Sequence, residues 1–244
     1  MKKAIFHFHL FKNAGTSLDA AFKDNFSNDE WVTSEFPGQP SKNRELVKEW
    51  VLNNPQAICF SSHTAMLPVP TFEDRLLLPV IFIRHPIDRI ASAYAFEKKQ
   101  GGDGFGAVLA RNTSFKGYVE SRNALGYDRQ CRNFHVERFA PMFGPEHGTE
   151  VERAKKAIES LPFVGLVEQF DASLKRLETW LSDEGIENVQ LAAKEQNVSR
   201  NTGVPIEAKI ASIKEQLGDE TFAQLLDSNR DDMALYEMVK ARYI

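Results

Sequence analysis

Apolar residues recur along this chain at two spacings, and the alternation between them outlines its architecture. The stretch "AIFHFHL" (4–10) is nearly continuous, as in a strand buried on both faces. From 17 to 26 the spacing becomes helical, with Leu18, Ala21, Phe22 and Phe26 on one face. "WVTSEF" (31–36) predicts a second strand, closed by the turn "PGQP". "SKNRELVKEWVLNN" (41–54) predicts a helix with Ser41 as N-cap and Leu46, Val47, Trp50 and Val51 at helical spacing. A short apolar run, "AICF" (57–60), ends at "SSH". "LPVIFIRHP" (78–86) predicts the clearest strand, and Pro86 stands where a new helix would begin, with Ile87, Ile90, Ala91 and Tyr94 on one face. "GGDGFG" (101–106) interrupts the pattern, and 105–148 mixes short helical pieces with aromatic residues. "FVGLVE" (163–168) predicts another strand before the amphipathic "DASLKRLETWLSDEG" (171–185), and the tail from Pro205 has helical spacing.

Strands alternating with helices predict an α/β fold: a central parallel sheet with helices on both faces, in a single domain spanning 1–244. Ligands of such sheets bind beyond the carboxyl ends of the strands. Three polar residues fall at those ends: Lys12, His63 and Arg84.

Composition narrows the functional classes. Of 244 residues, 42% are hydrophobic and 26% charged, which suits a globular chain with a substantial core. The net charge of −4 argues against a general nucleic-acid binder, so any anion site must be a local concentration of positive groups. Cys59 and Cys131 are too few for a disulfide framework and lie in no metal-like spacing. The apolar N-terminal stretch is cut by Lys12, too early for a secretory signal, and no stretch approaches the roughly 18 apolar residues of a membrane span. A soluble, cytoplasmic protein is expected.

"KNAGTS" (12–17) sits where a strand would hand over to a helix. Free N–H groups at such a turn bind phosphate, but the ATP/GTP loop places its lysine after the second glycine, whereas Lys12 precedes Gly15 by three residues. Two readings stand. The N–H groups from Ala14 to Ser17 form an anion-binding nest, with Thr16, Ser17 and Lys12 adding donors and charge. Alternatively, Thr16 or Ser17 caps an ordinary helix beside a solvated lysine. In "FIRHPIDRIASAY", Arg84 at a strand end suits forked contact with a phosphate, and Ser92 lies two helical turns on. Arg89 reads as a surface partner of Asp88 or of a nearby carboxylate.

Together these elements resemble the sulfotransferases that use 3′-phosphoadenosine 5′-phosphosulfate. "HLFKNAGTSL" is similar to that superfamily's 5′-phosphosulfate loop and "IRHPIDRIASAY" to its 3′-phosphate motif, nearest to the carbohydrate branch that includes heparan sulfate 2-O-sulfotransferases. The likeness continues weakly through "FVGLVEQFDASLKRLETWL", "QNVSRN" and "DDMALYEMV". Phe11, Asn13 and His85 depart from the residues common there, which are proline, threonine and aspartate.

The resemblance implies a P-loop-like three-layer domain and a sulfuryl transfer to an acceptor hydroxyl, with no metal required. Lys12, Asn13, Ala14, Gly15, Thr16 and Ser17 would hold the 5′ end, Arg84 and Ser92 the 3′-phosphate, and Arg200 or Ser199 would reach the 3′-phosphate or cover the donor. Lys12 would stabilise the leaving oxygen, and His63, in "CFSSHTAML", would be the general base. His63 is otherwise a loop histidine. His9 reads as structural support for the loop and His7 as core. Gln130 and Arg132 are acceptor-side candidates, and a glycan or glycolipid is the expected acceptor. The competing classes are a nucleotide kinase or NTPase, and a non-catalytic protein that binds the donor or its product.

Overall fold

The computed structural model describes residues 1–192 and 204–243. Along the chain run β1 (Lys2–Phe8), α1 (Gly15–Lys23), β2 (Trp31–Thr33), α2 (Pro40–Asn53), β3 (Cys59–Ser62), β4 (Arg75–Ile83), α3 (Pro86–Gln100), α4 (Phe105–Asn112), α5 (Phe115–Ala124), α6 (Phe134–Phe139), α7 (Glu150–Ser160), β5 (Gly165–Leu166), α8 (Phe170–Asp183), α9 (Ile206–Leu217), α10 (Asp219–Ser228) and α11 (Arg230–Lys240). The described residues group into two compact units, 1–83 with 138–192, and 84–137 with 204–243.

The first unit carries a five-stranded sheet of order β2-β3-β1-β4-β5 in which every neighbouring pair is parallel. The strand alternation of β1 explains the layering. Ile5 points into a cluster with Leu18, Ala21 and Phe22 of α1 and Leu174, Leu177 and Leu181 of α8. Phe6 points the other way, onto Trp50 of α2, which also meets Phe60 of β3 edge-on at 5.0 Å. Helices therefore cover both faces, and the α/β, three-layer expectation holds.

Local chemistry moves several boundaries. Ser41 is not the cap of α2: Gln39 occupies that position and Pro40 is the first helical residue, its fixed φ suited to the start of a helix. The segment 57–60 enters the sheet later than its apolar run suggests, because pairing with β1 carries β3 through the polar Ser61 and Ser62. "FVGLVE" yields only Gly165–Leu166 as strand, paired to Phe82 and Ile83. A Cβ on Gly165 would come within 2.5 Å of the Phe82 ring, so the pairing requires glycine.

The second unit is helical. Ile87, Ile90, Tyr118, Val119, Leu217 and Leu225 form its apolar centre. Asp232, buried at the start of α11, accepts the N–H groups of His135 and Val136 at 2.8 Å each, which fixes the first turn of α6. Arg89 does not lie on the surface. It is fully buried, its guanidinium bonds to Gln130 and stacks 4.1 Å above the Phe134 ring, and Asp88 instead pairs with Arg84.

Candidate functional site around the loop after strand one

In the first unit, β1 ends at Phe8 and the chain reaches α1 through residues 9–14. Lys12 (φ 62°) and Ala14 (φ 63°) both adopt the left-handed conformation without being glycine. Non-glycine residues seldom do so, and each costs on the order of 1 kcal/mol or more, so the surrounding structure must impose it. The reward is geometric. Ala14 serves as N-cap of α1 with no side-chain hydrogen bond, so neither Thr16 nor Ser17 caps this helix. The N–H groups of Ser17 and Leu18 both donate to the Ala14 carbonyl, at 3.0 and 3.2 Å. Ser17 therefore contributes no free N–H to a nest. The first helical N–H groups, those of Gly15 and Thr16, have no preceding turn to bond to and sit at the positive end of the helix dipole. The Ser17 hydroxyl is buried with no hydrogen-bond partner among the described residues. Asn13 folds its side-chain amide back onto the Phe11 carbonyl at 3.0 Å, which stiffens the middle of the loop.

His63 follows β3 directly. Its position is set from both sides. The His9 N–H donates to the Ser62 carbonyl at 2.9 Å, carrying the β1–β3 pairing one residue past the strand. The Ser62 hydroxyl accepts the N–H groups of Thr64 (3.2 Å) and Ala65 (3.0 Å), which turns the chain just after His63. As a result the His63 and His9 rings lie with centroids 3.7 Å apart. Burial against its neighbours lowers the His63 pKa below the ordinary histidine value, and proximity to His9 adds to the shift, while Glu35 and Asp19 oppose it.

Behind this pair lies a residue whose role the apolar spacing did not reveal. Asp19, one helical turn after Gly15, directs both carboxylate oxygens back at β1. One accepts from His7 Nδ1 at 2.7 Å and from the Ser61 hydroxyl at 2.6 Å; the other accepts from His9 Nδ1 at 2.8 Å. Burial alone would raise its pKa, but His7 and His9 overcome that and hold the carboxyl well below the usual carboxylate range. Desolvation outweighs Asp19 at His9, whose pKa is lowered. The His9 Nδ1–H remains bonded to the carboxylate. The candidate donor atoms of His7, His9 and Asp19 lie within 4.8 Å of one another, but a shared cation would have to displace these hydrogen bonds. The signal for Asp19 was present in the sequence: two histidines at i and i+2 share a strand face, and a carboxylate one turn past the loop glycine faces the same strand.

The remaining expected site residues are placed as follows. Arg84 comes immediately after β4 in the chain and its Nε bonds Asp88 at 2.6 Å. Ser92 lies in α3, half-buried. Gln130 and Arg132 are engaged within the second unit: Gln130 bonds Arg89 and Glu97, and Arg132 bonds the carbonyls of Asn123 and Gly126. Those contacts tie down the segment after α5. Arg200 and Ser199 lie outside the described residues. No helix among the described residues is long and apolar enough to cross a membrane.

The fold and this loop define a class: a three-layer α/β protein with a lysine-bearing strand–loop–helix turn. No protein-family model matches the chain. A protein of Archaeoglobus fulgidus described only as uncharacterized is 40% identical over 247 residues, covering 98% of this chain and 96% of that one. The chain belongs to the same family as that archaeal protein.

Proposed function

We propose that this protein is a sulfotransferase that moves a sulfuryl group from 3′-phosphoadenosine 5′-phosphosulfate to an acceptor hydroxyl. The observation that carries the reading is the turn between β1 and α1. Lys12 and the helix N-terminus occupy one loop held in left-handed geometry, and His63 leaves the adjacent strand β3. In that reading the Gly15 and Thr16 N–H groups and the buried Ser17 hydroxyl take the 5′-phosphosulfate oxygens. Lys12 meets the bridging oxygen, where negative charge grows as the S–O bond breaks, so its charge acts mainly on the transition state. His63 takes the proton of the acceptor hydroxyl as that oxygen bonds to sulfur, and the product nucleotide departs as adenosine 3′,5′-bisphosphate. The lowered pKa of His63 keeps it unprotonated at neutral pH, as a base requires. The likeness to sulfotransferases assigns the 3′-phosphate to Arg84 and Ser92. It also favours a carbohydrate or glycolipid hydroxyl as acceptor.

The test is calorimetric titration with adenosine 3′,5′-bisphosphate, with ATP and the 3′-dephosphorylated nucleotide as controls. Binding that depends on the 3′-phosphate supports the reading. Equal or better binding of ATP overturns it and favours a kinase or NTPase, whereas tight bisphosphate binding with no transfer to any hydroxyl identifies a non-catalytic binder.

A further inference from the structure

His7, His9 and Asp19 form a hydrogen-bonded cluster that reaches His63, yet the proposed reaction uses none of them. His9 is the link. Its ring is packed so closely on Gly15 that a Cβ there would stand 2.1 Å from Cδ2 and 2.4 Å from Cγ and Nε2. Its Nδ1 is bonded to Asp19, and its ring lies 3.7 Å from that of His63 at an interplanar angle of 39°. A side chain fixed by a carboxylate, by a glycine contact and by strand pairing has no rotamer freedom left, and it forms one wall of the place where His63 sits. The Asp19 carboxylate is itself immobilised by His7 and by Ser61, so the chain of contacts runs from the centre of the sheet to the exposed ring.

We propose that His9, locked by Asp19, is a positioning residue for His63 and that this histidine–carboxylate pair belongs to the working site rather than to the core. The proposal rests on the reading of His63 as the general base, but its physical content can be measured without turnover. The charged and titratable groups acting on His63 are His9 at the end of β1, Asp19 from α1 and Glu35 after β2. The carboxylates favour a protonated His63 and His9 disfavours it, so removing each should act in opposite directions.

The experiment is an NMR titration of the His63 imidazole in the intact chain, in Asp19→Asn and in His9→Gln, with circular dichroism to check the fold. Asp19→Asn should lower the His63 midpoint and His9→Gln should raise it, each by at least about 0.3 pH units for a unit charge acting through a largely aqueous path. A core role alone would loosen the packing and expose His63, raising the midpoint in both. A midpoint that Asp19→Asn raises or leaves in place therefore overturns the proposal. If Asp19→Asn does not fold, Asp19→Ser takes its place: a lowered midpoint supports the proposal, and a raised or unmoved one overturns it. The acid limb of sulfuryl transfer should follow the same shifts. Full transfer activity in His63→Ala, with the NMR shifts intact, would remove the base reading and leave the positioning contact standing.

Discussion

Gly15→Ala is the sharpest perturbation of this site because two effects of opposite sign compete. Alanine is the better helix former, and at the first residue of α1 it would stabilise by up to about 1 kcal/mol if there were room. There is none: the added Cβ would lie 2.1 Å from His9 Cδ2, whereas carbon atoms rest at about 3.5 Å or more. The His9 ring would have to retreat by roughly 1.4 Å, and its 2.8 Å bond to Asp19 could not survive that movement. Overpacking costs about 1–3 kcal/mol and loss of a charged hydrogen bond about 1.5–3 kcal/mol. Allowing for relaxation and the helix gain, the net is a destabilisation of about 2–4 kcal/mol. For a chain of this size that corresponds to a fall in Tm of about 4–16 °C. Calorimetry and denaturant unfolding measure it directly. The double variant gives an independent check: in a His9→Ala background the clash disappears, and Gly15→Ala should become neutral or stabilising, giving a coupling of about 2 kcal/mol or more. A single Gly15→Ala variant as stable as the parent, or more stable, refutes the packing argument.

The remaining expectations concern turnover and pH. Lys12→Ala and His63→Ala should each lower sulfuryl transfer by about 10²–10⁴-fold, and unchanged rates in both would remove the proposed mechanism. Arg84→Ala should chiefly weaken donor binding, read by the same calorimetry, and unaltered affinity removes Arg84 from the site. His85 supplies a pH test of stability in the second unit. Burial first, then Arg84 and Lys240, bring its pKa from 6.5 to about 4 despite Asp88 and Glu237. The unfolded chain binds this proton first, so stability falls as pH drops from 6.5 to 4, by about 3 kcal/mol in total. His85→Gln should flatten that part of the stability curve, and an identical slope in the variant shows that His85 is not its source.

The sequence carried most of the sheet because apolar runs and their breaks report burial directly. α3 starts at Pro86 as the spacing places it, and β1 and β4 overlap the runs 4–10 and 78–86 but begin two to three residues earlier. Two kinds of information were absent from that spacing. Strand ends depend on partners, so β3 continues through two serines that only β1 makes into strand. Buried polar residues depend on distant partners as well. Arg89 looks like a surface charge beside Asp88, yet its contacts are Gln130 and Phe134, some forty residues on. Asp19 looks like the solvent side of an amphipathic helix, yet it joins two strands. The loop itself was legible as a turn after a strand, but the left-handed backbone of Lys12 and Ala14 was not, since neither residue type favours it.

The edges of the sheet have a consequence for association. β2 at one edge has three residues and β5 at the other has two, while the long strands β1 and β4 lie inside. A strand edge is a template for another chain in proportion to its unpaired backbone groups. The three residues of β2 offer a neighbouring molecule too little hydrogen bonding to extend the sheet at that end. On the other side β5 pairs only with Phe82 and Ile83, so the rest of β4 depends on the burial of Leu77, Leu78, Val80 and Ile81, and not on a β5 partner, to keep that edge closed.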